Sequence, residues 1–193
     1  MTSEKKEKSA VQKGKSTAKK QGRSTDKKQG RSTDKKQSKT NAMRMLDTAG
    51  IEYESEYHEL ENGFTSGSDL ARMSGQDPDS VFKTLVTEAN TGEHFVCVIP
   101  VDCELDLKKA ARFFGVKKIE MLPMRKLLDL TGYVHGGCSP IGMKKLLPTV
   151  IDETAQLFDT IYVSGGKVGL QINISPSKLA KAVGADFADI TVS

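Results

Sequence analysis

The chain has 193 residues, of which 37% are apolar and 28% are charged. This length and composition predict about one ordinary domain and exclude a chain that is disordered or fibrous throughout. No segment approaches the roughly 18 consecutive apolar residues of a membrane span, and the N-terminus lacks the apolar segment of a secretory signal. Three cysteines are too few for a disulfide framework, so we expect a soluble protein of the reducing cytoplasm.

Residues 1–39 differ in composition from the rest of the chain. They hold 14 of the 29 basic residues and 4 of the 25 acidic residues, a net charge of +10. The sequence KKQGRSTD occurs at residues 19–26 and again at residues 27–34, and a third copy begins at Lys35. Such a segment cannot bury enough apolar surface to offset its ordering entropy, so we predict a disordered, basic, low-complexity tail.

Residues 40–193 form the predicted domain, and their net charge is −6, from 15 basic and 21 acidic residues. The basic residues cluster at 108–118, 125–126 and 144–145. A local basic face for nucleic acid and an ordinary solvated helix surface are both compatible with these clusters.

Hydrophobic periodicity and the residues that end each segment predict the following elements. In chain order they are helices at 41–49 and 68–73, a hairpin of 83–88 with 95–101, a helix at 107–114, a short strand at 116–121, a helix at 124–130, a hairpin of 160–164 with 168–174, a helix at 176–183 and a strand at 187–192. Because hairpins require antiparallel pairs, the interleaved pattern predicts a mixed α/β or α+β domain and excludes a doubly wound parallel sheet.

The cysteines and histidines raise two possibilities for chemistry. Cys97, Cys103, His135 and Cys138 could supply four zinc ligands, but Cys97 and Cys103 lack the usual knuckle spacing and Cys97 lies in an apolar run. We therefore predict no metal and no cofactor. His135 and Cys138 could also form a nucleophilic pair, since a thiolate beside an imidazole is a competent nucleophile, although no third orienting residue is evident.

Two glycine-rich segments are candidates for holding an anion. Residues 131–142 contain four glycines and a proline, and residues 163–167 contain the pair Gly165-Gly166. Such loops expose backbone N–H groups that can bind an anion or a developing oxyanion, while a pair of tight hairpin turns is the simpler alternative. Lys83 is unusual because it lies inside an apolar β-rich run, where a lysine usually extends its ammonium to the sheet edge.

Four motifs occur together and in order. They are Phe82-Lys83-Thr84-Leu85-Val86, Leu107-Lys108-Lys109-Ala110-Ala111, Thr131-Gly132-Tyr133 followed by Gly136-Gly137-x-Ser139-Pro140-x-Gly142, and Ile161-Tyr162-Val163-Ser164-Gly165-Gly166. With these motifs the chain resembles the YbaK/EbsC family of Cys-tRNA(Pro) deacylases, which is related to the editing domain of bacterial prolyl-tRNA synthetases. The resemblance covers residues 40–193 and leaves out the basic tail.

The resemblance implies a mixed, barrel-like β-sheet flanked by helices and a freestanding editing enzyme that removes cysteine from Cys-tRNA(Pro). It implies three catalytic residues, Lys83, Tyr57 and Gly136. Substrate binding would fall to Gly137, Ser139, Pro140, Gly165 and Gly166. The family often has His-x-Tyr around its tyrosine, where this chain has Ser55-Glu56-Tyr57-His58, so Tyr53 and His58 remain alternative matches.

The mechanism that the resemblance implies needs no side-chain nucleophile, because the thiol of the bound cysteine attacks its own ester carbonyl. The implied partners are mischarged tRNA and, as a candidate, prolyl-tRNA synthetase. Two alternatives remain open: a module that binds tRNA or the synthetase without turnover, and a deacylase for another mischarged tRNA such as Ala-tRNA(Pro). Charge alone predicts that the basic tail attracts tRNA phosphates without sequence preference.

Overall fold

The computed structural model describes residues 38–60 and 66–192. Residues 1–37, which make up most of the predicted disordered tail, lie outside the described residues, so that prediction stays open. No helix within the two described ranges is long and apolar enough to cross a membrane.

The described part of the chain contains five α-helices and eight strands. They are α1 (Asn41–Ala49), β1 (Glu54–Tyr57), α2 (Gly67–Ser74), β2 (Phe82–Ala89), β3 (His94–Pro100), α3 (Leu107–Phe113), β4 (Ile119–Met121), α4 (Met124–Thr131), β5 (Thr149–Asp152), β6 (Ile161–Ser164), β7 (Leu170–Ile174), α5 (Pro176–Val183) and β8 (Asp186–Ala188). Two short 3₁₀ helices lie at Pro78–Ser80 and Glu153–Leu157.

The described strands form two sheets. One sheet has three antiparallel strands in the order β1-β7-β6, and the other has five strands in the order β4-β2-β3-β5-β8. In the larger sheet β2 pairs antiparallel with β3 and β4, while β5 pairs parallel with β3 and β8. The predicted mixed α+β architecture and both predicted hairpins are confirmed, and the described strands form two open sheets rather than a closed barrel.

The elements predicted from the sequence pattern lacked β1 and β5, and the last predicted strand was too long. All four residues of β5 are buried, so its pattern lacks the alternation that identifies a strand. The last strand ends at Ala188, and beyond it only Thr191 forms an isolated bridge, to Leu105. These errors concern short segments whose pairing depends on distant partners.

The core consists of two large apolar clusters, one on each face of β3. Val96 and Val98 belong to a cluster that also contains Ile151, Ile161 and Ile172. Cys97 and Ile99 belong to another, which contains residues of α3 such as Ala110. Cys97 is fully buried, as expected for a small apolar residue in this run. The central strand β3 is therefore packed on both of its faces.

Side-chain caps connect α1 to one of the glycine-rich segments. Thr40 Oγ1 accepts a hydrogen bond from Met43 N at 3.3 Å, which caps the helix, and donates to Gly165 O at 2.6 Å. Gly50 ends the same helix with φ +65°, a backbone conformation that favours glycine. One threonine thus orders the start of α1 and the segment that follows β6.

Candidate active site

A cavity of about 460 Å³ lies where α2, β2, α4 and the ends of β6 and β7 meet. Its wall is mainly apolar and includes Leu70, Phe82, Val101, Leu122, Leu127 and Leu170. Its polar side chains include Lys83, Thr84, His135, Ser164 and Gln171. A cavity of this size, mainly apolar with a few polar groups, is typical of a small-molecule site.

Lys83 lies on β2 with its side chain half-buried in the cavity wall. Its ammonium Nζ donates to Val101 O at 2.8 Å, which leaves two of its three N–H groups for other acceptors. Burial lowers the pKa of this ammonium, and the nearby Cys103, Asp102 and Glu104 offset part of that effect. Lys83 can therefore present a partly desolvated positive charge to a bound ligand.

The segment that contains Gly136 forms another part of the wall. Gly136 has φ +78° and lines the cavity together with His135 and Cys138. Gly137 lies directly behind it, and a Cβ atom there would come within 2.9 Å of Val168 N. The backbone at Gly137 therefore packs against the turn between β6 and β7 in a contact that only glycine permits.

The other predicted binding residues support this wall from behind. Ser139 and Pro140 are buried, and Ser139 Oγ accepts a hydrogen bond from Ile141 N at 3.2 Å. A Cβ atom at Gly166 would lie 2.8 Å from the ring of Tyr133, and one at Gly165 would lie 2.6 Å from Leu170. Among these residues, therefore, the structure shows close packing and no exposed binding group.

Most of the glycine N–H groups considered in these segments already donate a hydrogen bond within the protein. Gly137 N donates to Val134 O at 3.1 Å, Gly165 N to Leu170 O at 2.7 Å and Gly166 N to the hydroxyl of Ser164 at 3.3 Å. Within the described residues Gly136 N has no acceptor. Of these four amides, Gly136 N–H is the one available to a ligand oxyanion.

The buried cysteines do not supply a thiolate. Burial raises the pKa of Cys138 to about 12, although a hydrogen bond to Thr131 offsets part of this effect. Burial also raises the pKa of Cys97 to about 12. Cys138 lines the cavity beside His135 but is a neutral thiol at pH 7, so the nucleophilic pair considered from sequence is not supported. Within residues 38–60 and 66–192, no group of three or more His, Cys, Asp or Glu side chains could hold a metal ion.

Tyr57 and His58 occupy different environments at the end of β1. The side chain of Tyr57 is 45% exposed and is not among the cavity-lining residues; its ring lies 5.3 Å from Lys167 Nζ. His58 is half-buried, and its Nε2 lies 3.0 Å from Oε1 of Gln171, a residue of the cavity wall. The assignment of Tyr57 as the functional residue stays a prediction, and the geometry favours its neighbour.

Sequence reasoning did not single out Gln171 or Thr84. Gln171 is the one polar residue in the segment Leu170-Gln171-Ile172, and it is 5% exposed. Thr84 Oγ1 is buried in the cavity wall without a hydrogen-bond partner. Both residues share their strands with other polar residues, LQINI for Gln171 and FKTLVTEA for Thr84, so the sequence carried no specific signal for either of them. Only the fold shows that the two strands border one cavity.

Comparisons with known proteins agree with the resemblance seen in the sequence. EbsC of Enterococcus faecalis, whose name gives it as a candidate Cys-tRNA(Pro)/Cys-tRNA(Cys) deacylase, is 44% identical over 152 residues, covering 79% of this chain and 93% of EbsC. A proline–tRNA ligase of Pelobacter propionicus is 32% identical over 85 residues, which are 44% of this chain and 15% of the ligase.

A comparison with solved structures agrees with the fold. A crystal structure described as a candidate trans-editing enzyme for prolyl-tRNA synthetase superimposes with a TM-score of 0.71 at 23% identity, covering 79% of this chain and 96% of the other. The family model of the aminoacyl-tRNA editing domain matches residues 61–182. The chain therefore belongs to the aminoacyl-tRNA editing domain family.

Proposed function

We propose that this protein is a trans-editing deacylase that removes cysteine from mischarged Cys-tRNA(Pro). The observation that carries the proposal is that Lys83 and Gly136, which are 53 positions apart in the sequence, line one cavity of about 460 Å³. The alignment along 93% of EbsC supports the same activity. A cation and a backbone N–H donor beside one apolar chamber suit the binding of an aminoacyl ester.

The nucleophile in this proposal is the thiol of the bound cysteine. Its unperturbed pKa near 8.5 leaves a small fraction of thiolate at neutral pH, whereas burial raises the pKa of Cys138 to about 12. The substrate sulfur attacks its own carbonyl carbon, an S–C bond forms, and the ester C–O bond breaks. The terminal ribose oxygen leaves with a proton, and the amino acid is released as a thiolactone that water then opens.

Lys83 and Gly136 have separate roles in this reaction. The half-buried ammonium of Lys83 stabilises negative charge near the ester or the terminal phosphate. Gly136 N–H donates to the carbonyl oxygen as it becomes an oxyanion. The protein thus positions the reacting atoms and stabilises their charge, and no side chain forms a covalent intermediate.

Substrate chemistry explains selectivity in this mechanism. Alanine has no thiol, so a bound Ala-tRNA(Pro) lacks the attacking atom. An apolar pocket that separates substrates by size alone gains only about 1–3 kcal/mol. Discrimination by the nucleophile does not depend on that small difference.

Mischarged tRNA is the substrate partner in this proposal, and the cytoplasm is the compartment. Prolyl-tRNA synthetase is a candidate partner because part of a proline–tRNA ligase is 32% identical to this chain. Contact with the synthetase would supply selectivity for the tRNA body.

The direct test is deacylation of tRNA(Pro) charged with cysteine, alanine, serine or proline. We expect cysteine to be removed and alanine to remain nearly untouched. Equal rates for cysteine and alanine would refute the substrate-thiol mechanism. Binding of charged tRNA without turnover of any of the four would instead identify a binding module.

A second arm of this test removes the positive charge. Lys83→Met leaves an unbranched side chain without the terminal ammonium, and we expect it to lower kcat for Cys-tRNA(Pro) by about 100-fold, the loss typical of one electrostatic group at a reacting carbonyl. Lys181→Met, on the exposed face of α5, is the matched control and should have wild-type kinetics. Equal activity of the two variants would contradict the role of Lys83.

A further inference from the structure

A series of hydrogen-bonded polar side chains crosses one face of the three-stranded sheet and ends in the cavity wall. Gln171 Oε1 lies 3.0 Å from His58 Nε2 and 3.0 Å from Gln76 Nε2. Gln76 Nε2 also lies 3.2 Å from Glu56 Oε2. Glu56 pairs with Gln171 in the register of β1 against β7, which places their side chains on the same face.

The Glu56 carboxylate, at the end of this series of hydrogen bonds, determines which atom donates and which accepts in each of them. An ionised carboxylate only accepts hydrogen bonds, so the Gln76 atom that faces Glu56 is the amide nitrogen. The second hydrogen of that nitrogen points to Gln171, whose facing atom must then be the amide oxygen. An oxygen at that position requires His58 to carry a hydrogen on Nε2.

This arrangement leaves the amide nitrogen of Gln171 without an acceptor. The side chain is 5% exposed and lines the cavity, and among the residues that the structure describes nothing accepts a hydrogen bond from Nε2. Thr84 Oγ1 in the same cavity wall is buried and has no hydrogen-bond partner. Because a buried polar atom is nearly always paired, this hydroxyl, together with an amide nitrogen that has no acceptor in the same wall, indicates polar atoms of a ligand.

We infer that Gln171 donates through Nε2 to the carbonyl oxygen of the aminoacyl ester, and that His58 and Gln76 are positioning residues that hold its amide in this orientation. The inference rests on the proposed function, which puts an aminoacyl ester in the cavity. The acceptor is the carbonyl oxygen and not the substrate sulfur, because sulfur is a weak acceptor and the carbonyl gains negative charge as it is attacked. Gln171 then acts together with Gly136 N–H.

Gln171→Glu tests the donor without removing the side chain. It retains an oxygen toward His58 and Gln76 and replaces only the cavity-facing NH₂ group by an oxygen. We expect kcat/KM for Cys-tRNA(Pro) to fall about 100-fold, with KM accounting for at most about tenfold, because the donor meets more charge in the transition state. Gln156→Glu, at an exposed position in the 3₁₀ helix Glu153–Leu157, makes the same change of charge and should leave kcat/KM unchanged.

The positioning role has its own conservative variant. His58→Gln retains an N–H donor to Gln171 Oε1, whereas His58→Leu removes it. We expect His58→Leu to lower kcat and His58→Gln to restore most of it, while both variants melt at similar temperatures. Equal kcat for the two would overturn the positioning role.

A binding measurement separates this inference from the proposed function. Adenosine that carries alanine through a 3′-amide presents the same carbonyl but cannot be cleaved by a thiol. Calorimetry should show about tenfold weaker binding of this compound to Gln171→Glu than to the wild type. Equal binding, or an unchanged kcat/KM, would overturn the inference. A wild type that binds the compound but clears no Cys-tRNA(Pro) would refute only the proposed function.

Discussion

Gly169 lies where β1 and β7 come together, next to the histidine that contacts Gln171. Its φ is +79°, and an added Cβ atom would lie 2.5 Å from His58 O, which is much shorter than the ordinary van der Waals contact distance of 3.4–4 Å. His58 N also donates to Gly169 O at 2.8 Å. Gly169→Ala therefore cannot be accommodated unless the end of β1 moves away from β7.

The expected cost of Gly169→Ala has two parts. A residue with a Cβ atom in the left-handed region costs about 1–2 kcal/mol, and the lower entropy of the unfolded chain returns roughly 0.4–1 kcal/mol of this. The displaced strand adds about 1–3 kcal/mol for overpacking and weakens one hydrogen bond worth about 0.5–1.5 kcal/mol. Gly50→Ala has only the backbone cost of the left-handed region and its entropic offset, because φ is +65° there and nothing lies within 4 Å of the added Cβ atom.

Urea denaturation of the two variants measures the difference directly. We expect Gly169→Ala to lose about 3 kcal/mol of unfolding free energy and Gly50→Ala about 1 kcal/mol, which corresponds to a difference in Tm of several degrees for a domain of this size. Deacylation by Gly169→Ala should also slow, because His58 moves with the strand. Equal destabilisation of the two variants would refute the close contact between Gly169 and His58.

Three further predictions concern the thiols and the basic tail. Cys138→Ser should leave kcat on Cys-tRNA(Pro) within about a factor of three of the wild type, because the neutral thiol has no part in the reaction; an inactive variant would restore the cysteine nucleophile. Burial raises the pKa of Cys97 and Cys138 to about 12, so above pH about 9 the unfolded chain releases these protons while the folded chain retains them. The free energy of unfolding should therefore fall as pH rises from about 9 to 12, by up to about 1.4 kcal/mol per pH unit for each thiol, and urea titrations should show a shallower fall in Cys138→Ser. A chain that begins at Thr40 should retain the wild-type kcat while its KM rises and becomes less dependent on salt, because residues 1–39 would contribute only sequence-independent attraction to phosphates. An unchanged KM at two salt concentrations would exclude the tail from tRNA capture.

Local chemistry made most of the helices predictable. Gly50, Gly75, Gly132 and Gly184 each end a helix with a positive φ, which is why a glycine after an apolar periodic segment marked each boundary correctly. Both hairpins were predictable for the same reason, since a short turn brings adjacent β-rich segments into antiparallel pairing. The four ordered motifs also indicated the family that the comparisons confirm.

The sequence by itself therefore determined the helices, the hairpins, the mixed fold class and the family, because each depends on residues within a few positions of one another or on a linear order of motifs. Only the tertiary structure decided that β5 lies between β3 and β8, that the backbone at Gly137 packs against Val168, and that Gln171 receives hydrogen bonds from His58 and Gln76. These contacts join segments that lie far apart in the chain, and close packing of the two sheets selects them. The position of the Gln171 side chain in the cavity wall is thus a property of the assembled fold.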